Sequence, residues 1–329
     1  MRYYTVNYWK KYKSYFKWLL ALVCCAYIIY FFTKNKNAFE QLFSLDPLFL
    51  AWLFLFCALT IVIQAWRYLI VIEKCGQTKL PFLKWFKIFI LGTFLSRIFP
   101  QTGNIFRAVR LKQDFGISYT GYVSIYTSFV WLDTILNLSI AFVVISFLKP
   151  GFLIGPIRVL YLISCLLALI VTAPWFLMKA SAALKTRFTS FQWLHSRASE
   201  VLKISIQSIK DIAYIGKVAI TGIASFSITL SVFYICFASL DTPVEITTLA
   251  LFAVILKLSN LVILTPGNIG VRELAYGLLG ELTGIGLAQA LLVSVITRIV
   301  ISCLILGLGF AAGGLDLLTH RSKYNRVDT

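Results

Sequence analysis

Apolar runs of about 18 residues or more recur along this chain, each long enough to cross the roughly 30 Å hydrocarbon core of a bilayer as a helix. No soluble fold has a use for so many. The runs that read as spanning helices lie at roughly 18–33, 48–72, 118–148, 155–178, 218–240 and 286–312. Composition agrees: 59% of residues are hydrophobic and 13% are charged, against about 25% charged in a typical soluble domain. The expected class is an all-α polytopic membrane protein.

The net charge of +18 would raise nucleic acid as a partner in a soluble protein. Here the Lys and Arg residues gather between the apolar spans, which is the positive-inside pattern, so no nucleic-acid partner is expected. The N-terminus, the 73–87 stretch, the 179–217 loop and the tail with Arg321, Lys323 and Arg326 are basic and read as cytoplasmic. The turn from Asp241 to Glu245 has no Lys or Arg and reads as external. The 179–217 loop interleaves Phe188, Phe191, Trp193 and Leu202 with basic residues, a pattern for an amphipathic surface helix. Arg2, Lys10, Lys11, Lys13 and Lys17 precede the first apolar run, and no small-residue cleavage site follows it. That run reads as a retained helix in a cell (inner) membrane protein with both termini cytoplasmic. The seven cysteines form no CxxC and read as inert. With only His195 and His320 a histidine-based metal site is not expected, and without a GxxxxGK(S/T) sequence neither is ATP use; no cofactor is expected.

Two further apolar segments, 82–99 and 247–264, each stop at a Pro/Gly/Asn break and resume as a shorter charged segment. The first break reads FPQTGNIFRAVRL from Phe99 to Leu111 and the second TPGNIGVRELAY from Thr265 to Tyr276. In both, Pro is followed by Gly-Asn-Ile and then Arg, and about ten residues later by Gly-Ile and a long apolar helix. This is the signature of an internal repeat, with residues 1–150 as the first copy and 151–329 as the second. If the segments 82–112 and 247–283 are re-entrant hairpins, each copy has three spans. Three is odd, so the copies enter the membrane in opposite senses, as in inverted-topology transporters. An eight-span arrangement closes the count equally well.

A break leaves backbone groups unpaired, which in lipid costs several kcal/mol per group. It persists where protein or a water-filled cavity meets those groups, and a helix restarting there aims its N–H groups at an anion. Pro100, Gly103, Pro266, Gly267 and Gly270 are the expected break or hinge positions, and Asn268 the expected cap. Arg97, Asn104, Arg107 and Arg110 in the first hairpin, with Asn268 and Arg272 in the second, are candidate ligands for a headgroup phosphate, which a guanidinium fork suits. Arg298 joins them from mid-helix. A lone charge at the midplane costs about 2.5–3.5 kcal/mol on the insertion scale, so Asp133 and Arg298 each need a partner or a cavity. By the Gly-Ile register Arg298 corresponds to Val130, one turn before Asp133, and the two are expected to approach each other. Lys257 and Glu273 are further coupling or ion-pair candidates, Glu273 also as a local neutraliser of Arg272.

The PGNIGVREL block and the following helix with Arg298 resemble the lysylphosphatidylglycerol synthase/flippase transmembrane family, the membrane domain of the multiple peptide resistance factor. The family's late motif is matched at Pro266, Gly267, Ile269, Gly270, Arg272 and Glu273, and its weaker early motif at Pro100, Gly103 and Arg107. Asn268 stands where Gly is usual, and Phe129-Val130 where Glu-Arg often precedes the aspartate. The resemblance implies a flippase-like domain that moves lipids between leaflets. The namesake's synthase half is a soluble domain, and this sequence ends soon after its last apolar run, so no catalytic activity is expected. The expected function is an anionic-headgroup lipid flippase, for a phospholipid or polyprenyl-phosphate lipid, working by alternating access of the two hairpins. The alternatives are a non-transporting scaffold of a glycolipid or cell-envelope machine, and a membrane-embedded polyprenyl-phosphate glycosyltransferase. A homo-oligomer or an envelope-biosynthesis partner is compatible with either.

Overall fold

A computed structural model describes residues 46–99, 102–185, 199, 211–261 and 270–314. The 18–33 span, the basic tail, Pro100, Pro266, Gly267, Asn268 and most of the 179–217 loop lie outside the described residues. What is described is helical apart from one hairpin of two-residue strands. In chain order the helices are α1 (Pro47–Gly76), α2 (Phe82–Ile98), α3 (Thr102–Phe115), α4 (Tyr119–Leu148), α5 (Val159–Lys185), α6 (Ile212–Ala238), α7 (Ile246–Leu261), α8 (Val271–Leu282) and α9 (Leu287–Ala311). Strands β1 (Leu153–Ile154) and β2 (Ile157–Arg158) pair antiparallel between α4 and α5.

Five of these helices, α1, α4, α5, α6 and α9, are long and apolar enough to cross a membrane. The protein is therefore a multi-pass membrane protein. The other four are shorter as described: their 17, 14, 16 and 12 residues span about 18–25 Å at 1.5 Å per residue. The order long, short, short, long occurs twice, in α1–α4 and again in α6–α9. Each short pair closes on a left-handed glycine, Gly116 (φ 72°) and Gly284 (φ 76°). These are the two glycines of the repeated Gly-Ile pair, and the left-handed turn requires them because a Cβ is strained there.

Local chemistry sets the ends. Asp46 Oδ1 accepts the Leu48 N–H (2.9 Å) and Pro47 takes the first helical position, where its missing N–H costs nothing. Ser118 Oγ accepts the Gly121 N–H (3.0 Å) to start α4. In α5, Pro174 removes the N–H that would meet the Ile170 carbonyl. Trp131 of α4 donates its indole N–H to that carbonyl (2.8 Å), so α5 passes its proline with the freed group satisfied.

Contacts divide the described chain into two compact units, each holding one pair of short helices. One unit comprises α1 up to Cys57, α6 from Leu230, α7, α8 and α9 up to Ser302. Its core is aromatic: Phe252 meets Tyr276 at 5.2 Å and Phe237 at 5.1 Å, and Phe233 meets Tyr276 at 5.8 Å. In this unit α7 packs on α8. The other unit comprises α1 from Ala58, α2–α5, α6 up to Thr229 and α9 from Cys303. There Tyr68 stacks on Phe129 (4.6 Å) and sits edge-on to Trp85 (5.0 Å). In this unit α2 and α3 approach so closely that a Cβ on Gly103 would lie 1.9 Å from the Gly92 carbonyl oxygen. Close backbone approach through small residues is how membrane helices gain packing energy where lipid removes the hydrophobic drive. Gly103, the second residue of α3, is therefore held by this close packing.

Candidate functional site

In the first hairpin the central residue is Arg107, which is buried. It projects from α3 back onto α2, where Nη2 donates to Thr93 Oγ1 (2.6 Å) and to the Phe89 carbonyl (3.2 Å). Its guanidinium lies over the Phe89 ring at 4.9 Å. Nη1 donates to Asn104 Oδ1 (3.2 Å), which also accepts the Tyr122 hydroxyl from α4 (3.2 Å). Asn104 therefore joins the arginine to α4 through one carbonyl oxygen. Arg107 Nε is buried and has no hydrogen-bond partner among the described residues. Arg110 is half-buried with its guanidinium over Phe106 (5.7 Å). Arg97 is exposed in the last turn of α2.

The second hairpin is built differently. Helix α8 starts at Val271 with Gly270 as its cap residue, at φ 86°, so the cap falls two residues beyond Asn268. Glu273 is buried at 3% exposure, and its Oε2 accepts the Gly270 N–H (2.8 Å). The other oxygen, Oε1, lies 2.8 Å from Arg298 Nε on α9, an ion pair whose N–H is not aimed at the oxygen. Glu273 thus joins the start of α8 to the middle of α9; as a neutraliser it serves Arg298. Arg272 also reaches α9, donating from Nη2 to Thr297 Oγ1 (2.8 Å) and placing its guanidinium 5.2 Å from the Tyr276 ring centre. Its Nε, like that of Arg107, is buried without a hydrogen-bond partner. Thr297 is fully enclosed and donates its own hydroxyl proton into the α9 backbone, which leaves an oxygen lone pair for Arg272. Lys257 is half-buried in α7.

Asp133 on α4 forms an ion pair with Arg67 Nη1 on α1 and accepts from Asn137 Nδ2 (3.0 Å). Both deep charges therefore have ion-pair partners within their own units, Arg67 for Asp133 and Glu273 for Arg298. These ion pairs differ from the Asp133–Arg298 approach expected from the sequence. Arg67 is buried at 4% and went unnoticed as a candidate, although the cost of a lone midplane charge applies to it equally. Thr93, Tyr122, Tyr276 and Thr297 were also missed. A hydroxyl in a run of apolar helix carries no sequence signal of its own until the residue facing it is known.

A family model described as the lysylphosphatidylglycerol synthase transmembrane region matches residues 18–309. The chain belongs to that family. The match takes in both hairpins and every charged residue of the candidate site, so the resemblance carried by Pro266, Gly267, Gly270, Arg272 and Glu273 holds over nearly the whole sequence. Membership makes this a lipid-related membrane protein. No curated protein matches the chain.

Proposed function

We propose that this protein is a lipid flippase of the cell membrane that moves a lipid with an anionic headgroup between leaflets. In this reading α2–α3 and α7–α8 are re-entrant hairpins within two inverted repeats, the first opening to the cytoplasm and the second to the outside. Both termini are cytoplasmic, and the hairpins work in alternation. The chain binds and moves lipid without covalent chemistry.

The observation that carries the reading is the pair Arg107 and Arg272. Each sits on one short-helix hairpin, donates to a threonine hydroxyl, lies against an aromatic face and keeps a buried Nε without a hydrogen-bond partner among the described residues; Arg107 donates to the Phe89 carbonyl and Asn104 Oδ1 as well. A guanidinium fixed in orientation by such contacts, with a donor still unpaired, is preorganised for phosphate oxygens. Helices of about 18–25 Å, shorter than the roughly 30 Å hydrocarbon core, support the re-entrant placement.

The test is reconstitution into liposomes with fluorescent lipids of different headgroups, comparing wild type with Arg107→Ala and Arg272→Ala. Headgroup-selective movement that falls about tenfold or more in both variants is expected, with Arg272→Lys recovering only part because ammonium lacks the fork. Equal movement of all lipids, or movement indifferent to both substitutions, would count against it.

A further inference from the structure

The second hairpin carries its own anion. Glu273 is deeply buried for a carboxylate, yet both of its oxygens are used: one on the Gly270 N–H at the start of α8, the other against Arg298. Those are two of the groups that a phosphate at this hairpin would seek, since the first turn of a helix and a guanidinium both favour negative charge. Arg272, the neighbouring residue, is meanwhile engaged by Thr297 and Tyr276. A headgroup arriving at Arg272 therefore finds the adjoining positive groups already neutralised from within.

We propose that Glu273 is a built-in competitor for the headgroup phosphate. With no lipid bound its carboxylate clasps Arg298 to the start of α8. When a phosphate-bearing headgroup engages Arg272, the phosphate displaces the carboxylate from Arg298, and the carboxylate returns as the headgroup leaves. This rests on the reading of Arg272 and Arg298 as headgroup ligands and adds how they release their cargo. A carrier that gripped phosphate with both arginines unopposed would hold it in one state. A competing internal anion lowers the apparent affinity by the fraction of time the site is open.

The groups the structure places near the Glu273 carboxylate are Arg298 from α9 and Tyr276 from α8. Glu273→Gln keeps an acceptor for the Gly270 N–H and removes only the charge. Purified full-length protein in detergent is titrated calorimetrically with inorganic phosphate and, separately, with a short-chain phosphatidylglycerol below its micelle concentration. Melting curves establish that each variant is folded. Glu273→Gln is expected to bind both ligands about tenfold more tightly than wild type, about 1.4 kcal/mol, and the added Arg298→Gln to abolish the gain. Equal affinity of wild type and Glu273→Gln, or a gain that survives loss of Arg298, would overturn the clasp. A gain for inorganic phosphate alone would overturn its role toward lipid. Should Glu273→Gln not fold, Arg298→Gln decides: removing the guanidinium must weaken phosphate binding about tenfold, and unchanged affinity refutes the proposal. Binding and liposome transport are separate readouts. A clasp signature without lipid movement leaves an anion site lacking a pathway, and movement without the signature retires the clasp alone.

Discussion

Arg67 and Asp133 show how a residue-scale cost becomes a structural commitment. Either charge alone in a spanning helix would be expensive, and the pair survives because Asn137 also donates to the carboxylate. Breaking a buried pair typically costs about 3–5 kcal/mol, whereas replacing both partners by apolar residues is often neutral. Arg67→Ala or Asp133→Asn is therefore expected to lower the thermal midpoint in detergent sharply, and Arg67→Met with Asp133→Leu to restore most of it. Glycines sort in the same way. Gly103→Ala places a methyl against the Gly92 backbone and is expected to loosen the first hairpin, seen as faster proteolysis between α2 and α3. Gly216→Ala in α6 meets open space and is expected to be neutral or slightly stabilising, by about 0.5–1 kcal/mol. Outside the spans, Asp211 accepts from Lys74 Nζ (2.6 Å) and caps α6 at Ala213 and Tyr214. The Lys74 hydrogen bond first, and the cap second, hold its carboxyl below the usual range. A depressed carboxylate stabilises above its unfolded pKa and loses that contribution as pH falls through the folded one. The difference in midpoint between wild type and Asp211→Asn should stay constant from pH 7 to about 5 and close in acid below about pH 4.

Helices obey constraints that single residues do not reveal. Pro174 would leave the Ile170 carbonyl bare in lipid, and α5 stays continuous because α4 brings Trp131 to it. Trp131→Phe keeps the ring and removes the N–H, so it is expected to cost about 1–3 kcal/mol. Pro174→Ala, which restores the helical partner, should make the helix indifferent to that loss; unfolding of the two single variants and the double variant checks the coupling. Most element boundaries were legible beforehand: 48–72, 118–148 and 286–312 fall within a few residues of α1, α4 and α9. Apolar length and Pro/Gly breaks are enough for that, since the bilayer imposes one helix length on every sequence that crosses it. What was not legible is which side chain each helix turns toward its neighbour. These helices are apolar nearly all round, so periodicity does not single out the packed face.

At the scale of the molecule, short helices paired between long ones occur twice, and the arginines of the two hairpins end in comparable settings with different partners. Arg107 reaches α2 and Arg272 reaches α9. The re-entrant reading makes a whole-molecule prediction. In intact cells a cysteine at Lys79 should label only from the cytoplasm and one at Asp241 only from outside. One at Phe99, near the tip of the first hairpin, should resist membrane-impermeant reagents added outside. Ready external labelling at Phe99 would favour the eight-span arrangement. By itself the sequence determined the membrane class, the five described spans, the two broken segments and the family, because all of these follow from apolar length, helix breakers and a local motif. Only the tertiary structure decided the partners: Asp133 to Arg67, Arg298 to Glu273, Arg272 to Thr297, Arg107 to Thr93. A buried charge announces that it needs a counterpart, but many groups along a helical chain satisfy that need, and packing alone selects among them.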